Sequence, residues 1–413
     1  MKRINPLHGL LVLVFMIAAC SKNSVKPNPG TGINLVLSST EQQNAAADNA
    51  FTINLFKTVQ TADKSGNNLF MSPLSVSFAL GMASNGANGA TLDAINNTLG
   101  FKGFTEDEVN AYYNKLITDL PKLDPQTTLN IANSIWYNQS VSILPQFLNT
   151  NSTNFNAKIQ ALDFNNPASL NTINNWVSGE TNGKIPKIIS ELSGDDVMVL
   201  VNAIYFKSVW KTKFDASKTA KQAFYLPDQS TVQTDFMNGS KIDYNIYNDN
   251  NARVVELPYS NSKYSLVIIT PNGGNTLKNL ISALDTTTWQ SWMTKLVPAS
   301  GVVVMPKFKF SYNVLLNGAL SALGMGNAFS NAADFTRINA AGGISITKVQ
   351  HEAYIAVDES GTEAAAATGV VIGFTASAPT QPVTIDHPFL FAIREMKTGL
   401  ILFAGTVNNP LQN

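Results

Sequence analysis

The side chains of this sequence best suited to nucleophilic or metal chemistry are three histidines and one cysteine, namely His8, His351, His387 and Cys20. A histidine beside a serine and an aspartate can activate a hydroxyl group, and grouped histidines, cysteines and carboxylates can hold zinc. The chain carries no G-x-S-x-G nucleophile elbow, no P-loop, no G-x-G-x-x-G and no group of metal ligands with zinc spacing. We therefore expect neither an enzyme nor a bound metal or cofactor.

One histidine lies in the run ISITKVQHEAYIAV, residues 344–357, in which apolar and polar residues alternate. In a strand this alternation places His351 on the apolar face, together with Ile355 and Val357. A lone histidine on such a face is more often a hydrogen-bonded core residue than a catalyst. A Ser/His/Asp hydrolase that uses His351 or His387 is the distant alternative.

The N-terminus has the pattern of an export signal. Two basic residues precede the apolar run GLLVLVFMIAA, residues 9–19, which is shorter than the roughly 20 residues of a membrane-spanning helix. The run ends in IAAC, which resembles a bacterial lipoprotein signal with a lipidated cysteine. We predict a signal peptide over residues 1–19, lipidation at Cys20 and a flexible tether over residues 20–38. The protein would then be exported and anchored to a bacterial membrane, at its periplasmic face or at the cell surface; a buried structural cysteine is the alternative.

The rest of the chain, residues 39–413, indicates one domain, because it contains no repeat and no second linker. Of the 413 residues 44% are hydrophobic and 14% charged, which is enough apolar material for a large core. Lysine plus arginine and aspartate plus glutamate both number 28, so no net field would attract nucleic acid.

Helix signals lead and strand signals follow. Apolar residues between positions 51 and 59 recur at helical spacing, Ser72 can cap a helix that begins at Pro73, and a third helix is expected between a Thr91 cap and Gly100. Four later segments are rich in β-branched and aromatic residues, namely YSLVIIT, GVVVMPKFKFSY, VTIDHPFLFAIRE and GLILFAGTV. Without βαβ alternation, this order predicts an α+β fold with a mainly antiparallel sheet.

The stretch VDESGTEAAAATGVVIGFTASAPTQP, residues 357–382, fits none of these elements. A structureless loop of this length is uncommon in a compact domain, yet the segment has too little charge and too many β-branched residues for a disordered tract. Its four alanines favour a helix, but Gly361 and Gly369 bracket them and leave a free helix marginal.

This stretch, with blocks along almost the whole mature chain, resembles the serpin family. ESGTEAAAAT, residues 359–368, is similar to the hinge of that family. The other blocks occur in the family's order: NLFMSPLSVSFALGMASNGANGAT, INNWVSGETNGKIPKII, VLVNAIYFKSVW, ARVVELPYSNSKYSLVIITPN, VVMPKFKFSYNVLLNGALSALGMGNAF and DHPFLFAIREMKTGLILFAGTV. The resemblance implies a serpin fold, with N-terminal helices, a large mainly antiparallel sheet and an exposed reactive-centre loop.

It also implies a protease inhibitor that acts as a suicide substrate. A target protease cuts the exposed loop and forms an acyl-enzyme, which is trapped when the cut loop inserts as a new strand. Alternate hinge residues must then face the core, which are Thr362, Ala364, Ala366 and Thr368. Glu363, Ala365 and Ala367 would face outward, and Gly361 would allow the chain to reverse after Glu359. Thr362 is expected to lie in the exposed loop before cleavage and to enter the sheet first.

The usual spacing of the family from the hinge places the attacked bond between Thr375 and Ala376, with Phe374 and Ser377 as neighbours. The loop after Glu363 contains no lysine or arginine, so trypsin-like targets are not expected. Elastase-like, chymotrypsin-like, subtilisin-like or papain-like proteases fit better. The protein is expected to act as a monomer whose partner is the protease.

Two further clusters carry over from the resemblance. A polar cluster beneath the point where the sheet opens would contain Ser72, Ser75, Asn202 and His351. A second cluster, where insertion begins, would contain Trp210, Lys307 and Glu359. Ser208 departs from the family's glycine, and Glu352 stands where a basic residue is common. A non-inhibitory serpin-fold binding or scaffold protein is the alternative function, although this hinge lacks the bulky, charged or proline residues typical of it.

Overall fold

The computed structural model describes residues 32–363 and 381–412. The predicted signal peptide, Cys20, the first part of the tether, the hinge residues 364–368 and the predicted scissile bond with its neighbours lie outside these residues.

Helices form the N-terminal part of the domain and a smaller group later in the chain. The α-helices are α1 (Ser39–Ala62), α2 (Pro73–Ser84), α3 (Gly89–Leu99), α4 (Glu106–Asp119), α5 (Pro145–Phe155), α6 (Pro167–Glu180), α7 (Leu277–Ala283), α8 (Thr286–Lys295) and the single turn α9 (Asn317–Leu320). No helix in this part of the chain is both long enough and apolar enough to cross a bilayer.

Local signals account for the starts of the first two helices. Ser38 and Glu41 form a reciprocal capping box at α1, in which each side chain accepts a hydrogen bond from the other's backbone N–H. At α2 the Ser72 hydroxyl accepts the Ser75 N–H at 3.2 Å, and Pro73 occupies the first helical position, as predicted. The predicted apolar stripe of α1 is buried in the core.

The predicted Thr91 cap of α3 is wrong. This helix begins three residues earlier, with Asn88 at the cap position, and ends at Gly100, whose φ of 78° lies in the left-handed region. The Thr91 hydroxyl accepts the backbone N–H of Asp334 at 2.8 Å instead, so a tertiary contact takes the place of the cap.

The strands of the described residues form two sheets. They are β1 (Leu69–Met71), β2 (Thr128–Asn138), β3 (Lys158–Leu162), β4 (Met198–Val209), β5 (Ala220–Tyr225), β6 (Thr231–Asn248), β7 (Ala252–Pro258), β8 (Tyr264–Pro271), β9 (Val297–Pro306), β10 (Phe308–Leu315), β11 (Gln350–Asp358), β12 (Gly361–Thr362), β13 (Val383–Thr384), β14 (Phe389–Glu395) and β15 (Ile401–Val407). One sheet has the order β1-β15-β14-β8-β7-β6-β9-β13, with β5 beside β6, and the other has the order β10-β11-β12-β4-β2-β3.

The α+β class with mainly antiparallel pairing is confirmed, and the described residues contain two parallel pairs. β2 and β3 pair in parallel and are joined through α5, which makes a βαβ unit that the sequence did not predict. The sequence gives little signal for this unit, because β3 has only five residues and α5 is largely polar. The other parallel pair is β9 with β13.

Helix α6 covers the outer face of the six-stranded sheet. A compact apolar cluster joins Ile173 and Val177 of α6 to Trp136 of β2 and to Val201 and Ala203 of β4. The opposite face of the sheet packs into the main core, where β11 buries alternate residues as its pattern predicts. The six-stranded sheet is therefore covered on both faces.

Candidate functional site at the open seam of the six-stranded sheet

Within the described residues, the boundary between β4 and β11, here called the seam, is closed at one end only. There the two-residue strand β12 lies between them, with Gly361 opposite Val209 and Thr362 opposite Ser208 of β4. On its other side Thr362 lies opposite Val357 of β11. Within the described residues no ladder joins β4 directly to β11 over the rest of their length. The sheet therefore has a place for a longer strand beyond β12.

A cavity of about 220 Å³ lies at the far end of the seam. Its lining includes Met198, Leu200 and Asn202 of β4, His351 of β11, and residues of α2. The seam thus leads from β12 toward the predicted polar cluster.

Thr362 is already part of the sheet, so the prediction that it lies in the exposed loop is wrong. It is 2% exposed, and its hydroxyl lies 2.5 Å from the hydroxyl of Tyr259. Burial raises the pKa of Tyr259, so the phenol stays protonated and both groups can share a hydrogen bond. Backbone pairing on both sides and this contact hold the start of the loop in place.

Gly361 is required where the chain enters the sheet. Its φ is 155°, and a Cβ atom at this position would lie 2.0 Å from the carbonyl oxygen of Ser208. Only glycine allows β12 to approach β4 so closely.

Glu363 follows β12 and faces the α6 side of the sheet. Its backbone N–H donates to the carbonyl of Ala356 at 2.8 Å, which extends the pairing with β11 by one bond. Its side chain is 3% exposed, and Oε1 lies 3.3 Å from Nζ of Lys184. The outward direction expected for this residue agrees with the structure, but the carboxylate is covered rather than solvated.

Trp210, Lys307 and Glu359 surround the turn between β11 and β12. The Trp210 indole N–H donates to the carbonyl of Asp358 at 2.8 Å, and Nζ of Lys307 lies 2.9 Å from Oε2 of Glu359. Thr219 adds a hydroxyl donor to Oε1 of Glu359 at 2.6 Å. Partial burial would raise the pKa of Glu359, but the hydrogen bonds from Thr219 and Lys307 outweigh it and hold this pKa below its usual value. The charged carboxylate thus anchors the turn.

The predicted polar cluster is assembled at the other end of the seam. The backbone N–H of Ser72 donates to Nε2 of His351 at 3.1 Å, and the Ser75 hydroxyl donates to Oδ1 of Asn202. The Asn202 amide donates in turn to Oδ1 of Asn133 at 2.6 Å. Burial lowers the pKa of His351 to about 4, so the imidazole is neutral and accepts at Nε2.

Within the described residues neither histidine has a free serine hydroxyl beside it. The Ser72 hydroxyl donates to the carbonyl of Leu402 at 2.7 Å and is buried, so it cannot serve His351 as a nucleophile. His387 pairs with the neighbouring Asp386 at 2.7 Å and stacks on Tyr225, and no serine hydroxyl contacts it in the described ranges. Those ranges also hold no group of three potential metal ligands.

Sequence reasoning missed four residues of the site: Asn133, Lys184, Thr219 and Tyr259. No local pattern points to them, because each meets its partner across a long separation in sequence. Ser208, the departure from the family's glycine, is accommodated because its hydroxyl lies 2.6 Å from that of Thr127.

Comparison with known proteins identifies the same family as the motifs. The family model described as Serpin (serine protease inhibitor) matches residues 46–410. Leukocyte elastase inhibitor of Homo sapiens is 34% identical over 89% of this chain and 100% of its own length. Iripin-8 of Ixodes ricinus is 35% identical over 88% of this chain and 93% of its own length.

Solved structures give the same result. The thermophilic serpin tengpin in its native state superposes with a TM-score of 0.80 and 31% identity, over 91% of this chain and 96% of its own. Human thyroxine-binding globulin complexed with thyroxine superposes with a TM-score of 0.82 and 30% identity, over 90% of this chain and 100% of its own.

Proposed function

The chain belongs to the serpin family, and from this membership we propose that it inhibits a protease by offering the segment after Glu363 as bait and inserting that segment into the seam once it is cut. The family description names an inhibitor and not an enzyme. The relatives named leukocyte elastase inhibitor agree with this activity.

The register of β12 is the observation that carries the proposal. Thr362 lies opposite Ser208 on one side and Val357 on the other. If both antiparallel registers continue, Thr368 falls opposite Asn202 and His351 together. A threonine hydroxyl at this position would meet two polar side chains that can each hydrogen-bond to it. The register with β4 and the register with β11 are independent, and both place Thr368 opposite a member of the polar cluster. This agreement supports insertion of residues 364–368 along the seam.

The chemistry belongs to the protease. Its nucleophile attacks the carbonyl carbon of Thr375, the bond to the nitrogen of Ala376 breaks, and Ala376 leaves as a new amino terminus. The protease is then held as an ester, or as a thioester in a papain-like enzyme, at the end of the cut loop. Insertion carries it away from the site of attack before water can release it.

Insertion has a large driving force. About a dozen new strand residues at about 0.5 to 1.5 kcal/mol per hydrogen bond give on the order of 10 kcal/mol, which matches the stability of a whole domain. The uncut form is accordingly held by kinetics. Small residues at positions 364–367 can enter the sheet without forcing it apart.

The lack of a cation between Glu363 and the end of the loop favours elastase-like, chymotrypsin-like, subtilisin-like or papain-like targets over trypsin-like ones. We further propose a bacterial lipoprotein form, exported by residues 1–19 and anchored through Cys20, with a monomeric domain facing the periplasm or the cell surface. The support is the IAAC pattern after an apolar run.

The decisive experiment incubates the purified domain with one protease of each class. Trapping gives a protease-inhibitor complex that survives boiling in SDS, whereas a plain substrate gives only cut fragments. If no protease is trapped and the cut protein gains no heat stability, the non-inhibitory alternative is correct.

A further inference from the structure

Glu363 is held in a conformation that a strand residue cannot adopt. Its φ is 56°, in the left-handed region, which is uncommon for a residue with a side chain. The next residues of a growing strand require an extended backbone at this position. Glu363 must therefore rotate before the segment after it can pair with β4 and β11.

The partner of Glu363 comes from outside the sheet. Lys184 lies in the turn after α6, is 39% exposed in its side chain, and reaches Oε1 of Glu363 at 3.3 Å. Its Nζ also lies 4.8 Å from the ring centre of Tyr354 on β11. Partial burial would lower the pKa of Lys184, but the Glu363 carboxylate outweighs it and raises this pKa. Lys184 is thus a charged group that binds Glu363 and β11 at once.

The cluster spans the seam. Tyr205 of β4 also interacts with Glu363, and burial together with this carboxylate raises the pKa of Tyr205. Continuing the observed registers by three residues from Thr362 brings residue 365 opposite both Tyr205 and Tyr354. Residue 365 is the next outward-facing residue of an inserting loop. The ion pair between Lys184 and Glu363 therefore lies over the position that residue 365 would take.

We infer that Lys184 and Glu363 form a latch, which holds the loop with β12 inserted and slows insertion beyond it. The inference rests on the proposed loop insertion and names the positioning residues that set its rate. Opening the latch requires loss of the ion pair and rotation of the Glu363 backbone. Its cost opposes insertion in the uncut protein, whereas a cut loop is no longer tethered at its far end and can leave the latched state.

The test compares Lys184→Met with Lys187→Met, which removes an exposed lysine three residues further along the chain. The uncut proteins are warmed below their unfolding temperature, and conversion to an uncut, more heat-stable and non-inhibitory form is followed with time. Lys184→Met should convert about tenfold faster than the wild type, since an ion pair to a largely buried carboxylate contributes more than the average exposed pair. Lys187→Met should convert at the wild-type rate.

Charge reversal separates the latch from a general loss of stability. Glu363→Lys should convert faster, and the double variant Glu363→Lys with Lys184→Glu should return toward the wild-type rate. Equal rates for Lys184→Met and Lys187→Met, or slower conversion in Lys184→Met, overturn the latch. The number of inhibitor molecules cut for each protease trapped is measured in parallel. If the wild type traps no protease, the proposed function fails, while the conversion rates still decide the latch.

Discussion

The hydroxyl groups of Thr362 and Tyr259 lie 2.5 Å apart in the buried interior of the domain. The bait segment is thus attached to the sheet before any protease acts, through a residue expected to be free. This contact changes what substitutions at the hinge should do.

Thr362→Arg should destabilise the uncut protein. Its guanidinium would replace a side chain that is 2% exposed, and an unpaired charge there costs on the order of 3 kcal/mol even after relaxation. The thermal midpoint of the uncut arginine variant should fall clearly below that of the wild type. The midpoint of Thr362→Ser, which keeps the hydroxyl, should fall little. An unchanged midpoint for the arginine variant would show that β12 is not held in solution.

Ala366→Arg should convert the inhibitor into a substrate. The continued register directs residue 366 toward the core, where a charge would slow insertion while release of the protease continues at its own rate. The variant should be cut at the wild-type bond and should liberate active enzyme. The matched variant Ala367→Arg, directed outward, should keep most of the complex yield on a denaturing gel. Equal yields for the two would contradict the alternation on which insertion depends.

The attacked bond is predicted between Thr375 and Ala376. Mass spectrometry of the C-terminal peptide released by the trapped protease should show a start at Ala376. A start outside residues 375–378 would refute the assignment. Trypsin should form no complex through this loop. Phe374→Arg or Thr375→Arg should make the loop a target of trypsin, because either supplies the cation that the trypsin pocket binds.

His351 should make stability depend on pH. Burial lowers its pKa in the folded state to about 4 from about 6.5, so the unfolded chain binds the extra proton between these values. The neutral His351 therefore contributes about 3 kcal/mol to the free energy of unfolding above pH 6.5. This contribution is lost as the pH falls toward 4. His351→Gln can still accept the Ser72 N–H but does not titrate.

Urea unfolding at pH 7.5 and pH 5 measures this effect. The loss of unfolding free energy between the two conditions should be smaller in His351→Gln than in the wild type. Asp48, whose pKa burial raises to about 7, titrates with the opposite sign in this window and is common to both proteins. The comparison therefore isolates His351, and identical losses would contradict its buried neutral state.

Cys20→Ser should abolish lipid attachment. Expressed in a bacterium that processes lipoproteins, the wild type should partition into detergent and the variant into the aqueous phase or an unprocessed precursor. Unchanged partitioning of the variant would exclude Cys20 as the anchor.

The sequence by itself determined features that depend on local pattern. The apolar stripe of α1, the Ser72 cap of α2 and the alternation of β11 each follow from neighbouring residues whose geometry is set by the helix or strand period. The ordered series of motifs likewise indicated the family, which the comparisons confirm. The members of the polar cluster were named in the same way, and the structure brings them together.

Only the tertiary structure decided which hydrogen-bond or strand partner a side chain has when more than one is available to it. The Thr91 hydroxyl could cap α3 but bonds to Asp334, and Thr362 could remain in a loop but pairs with β4, β11 and Tyr259. Glu363 meets Lys184 because α6 crosses the sheet at that level. Each outcome depends on distances between residues far apart in the chain, and sequence spacing carries no information on those distances.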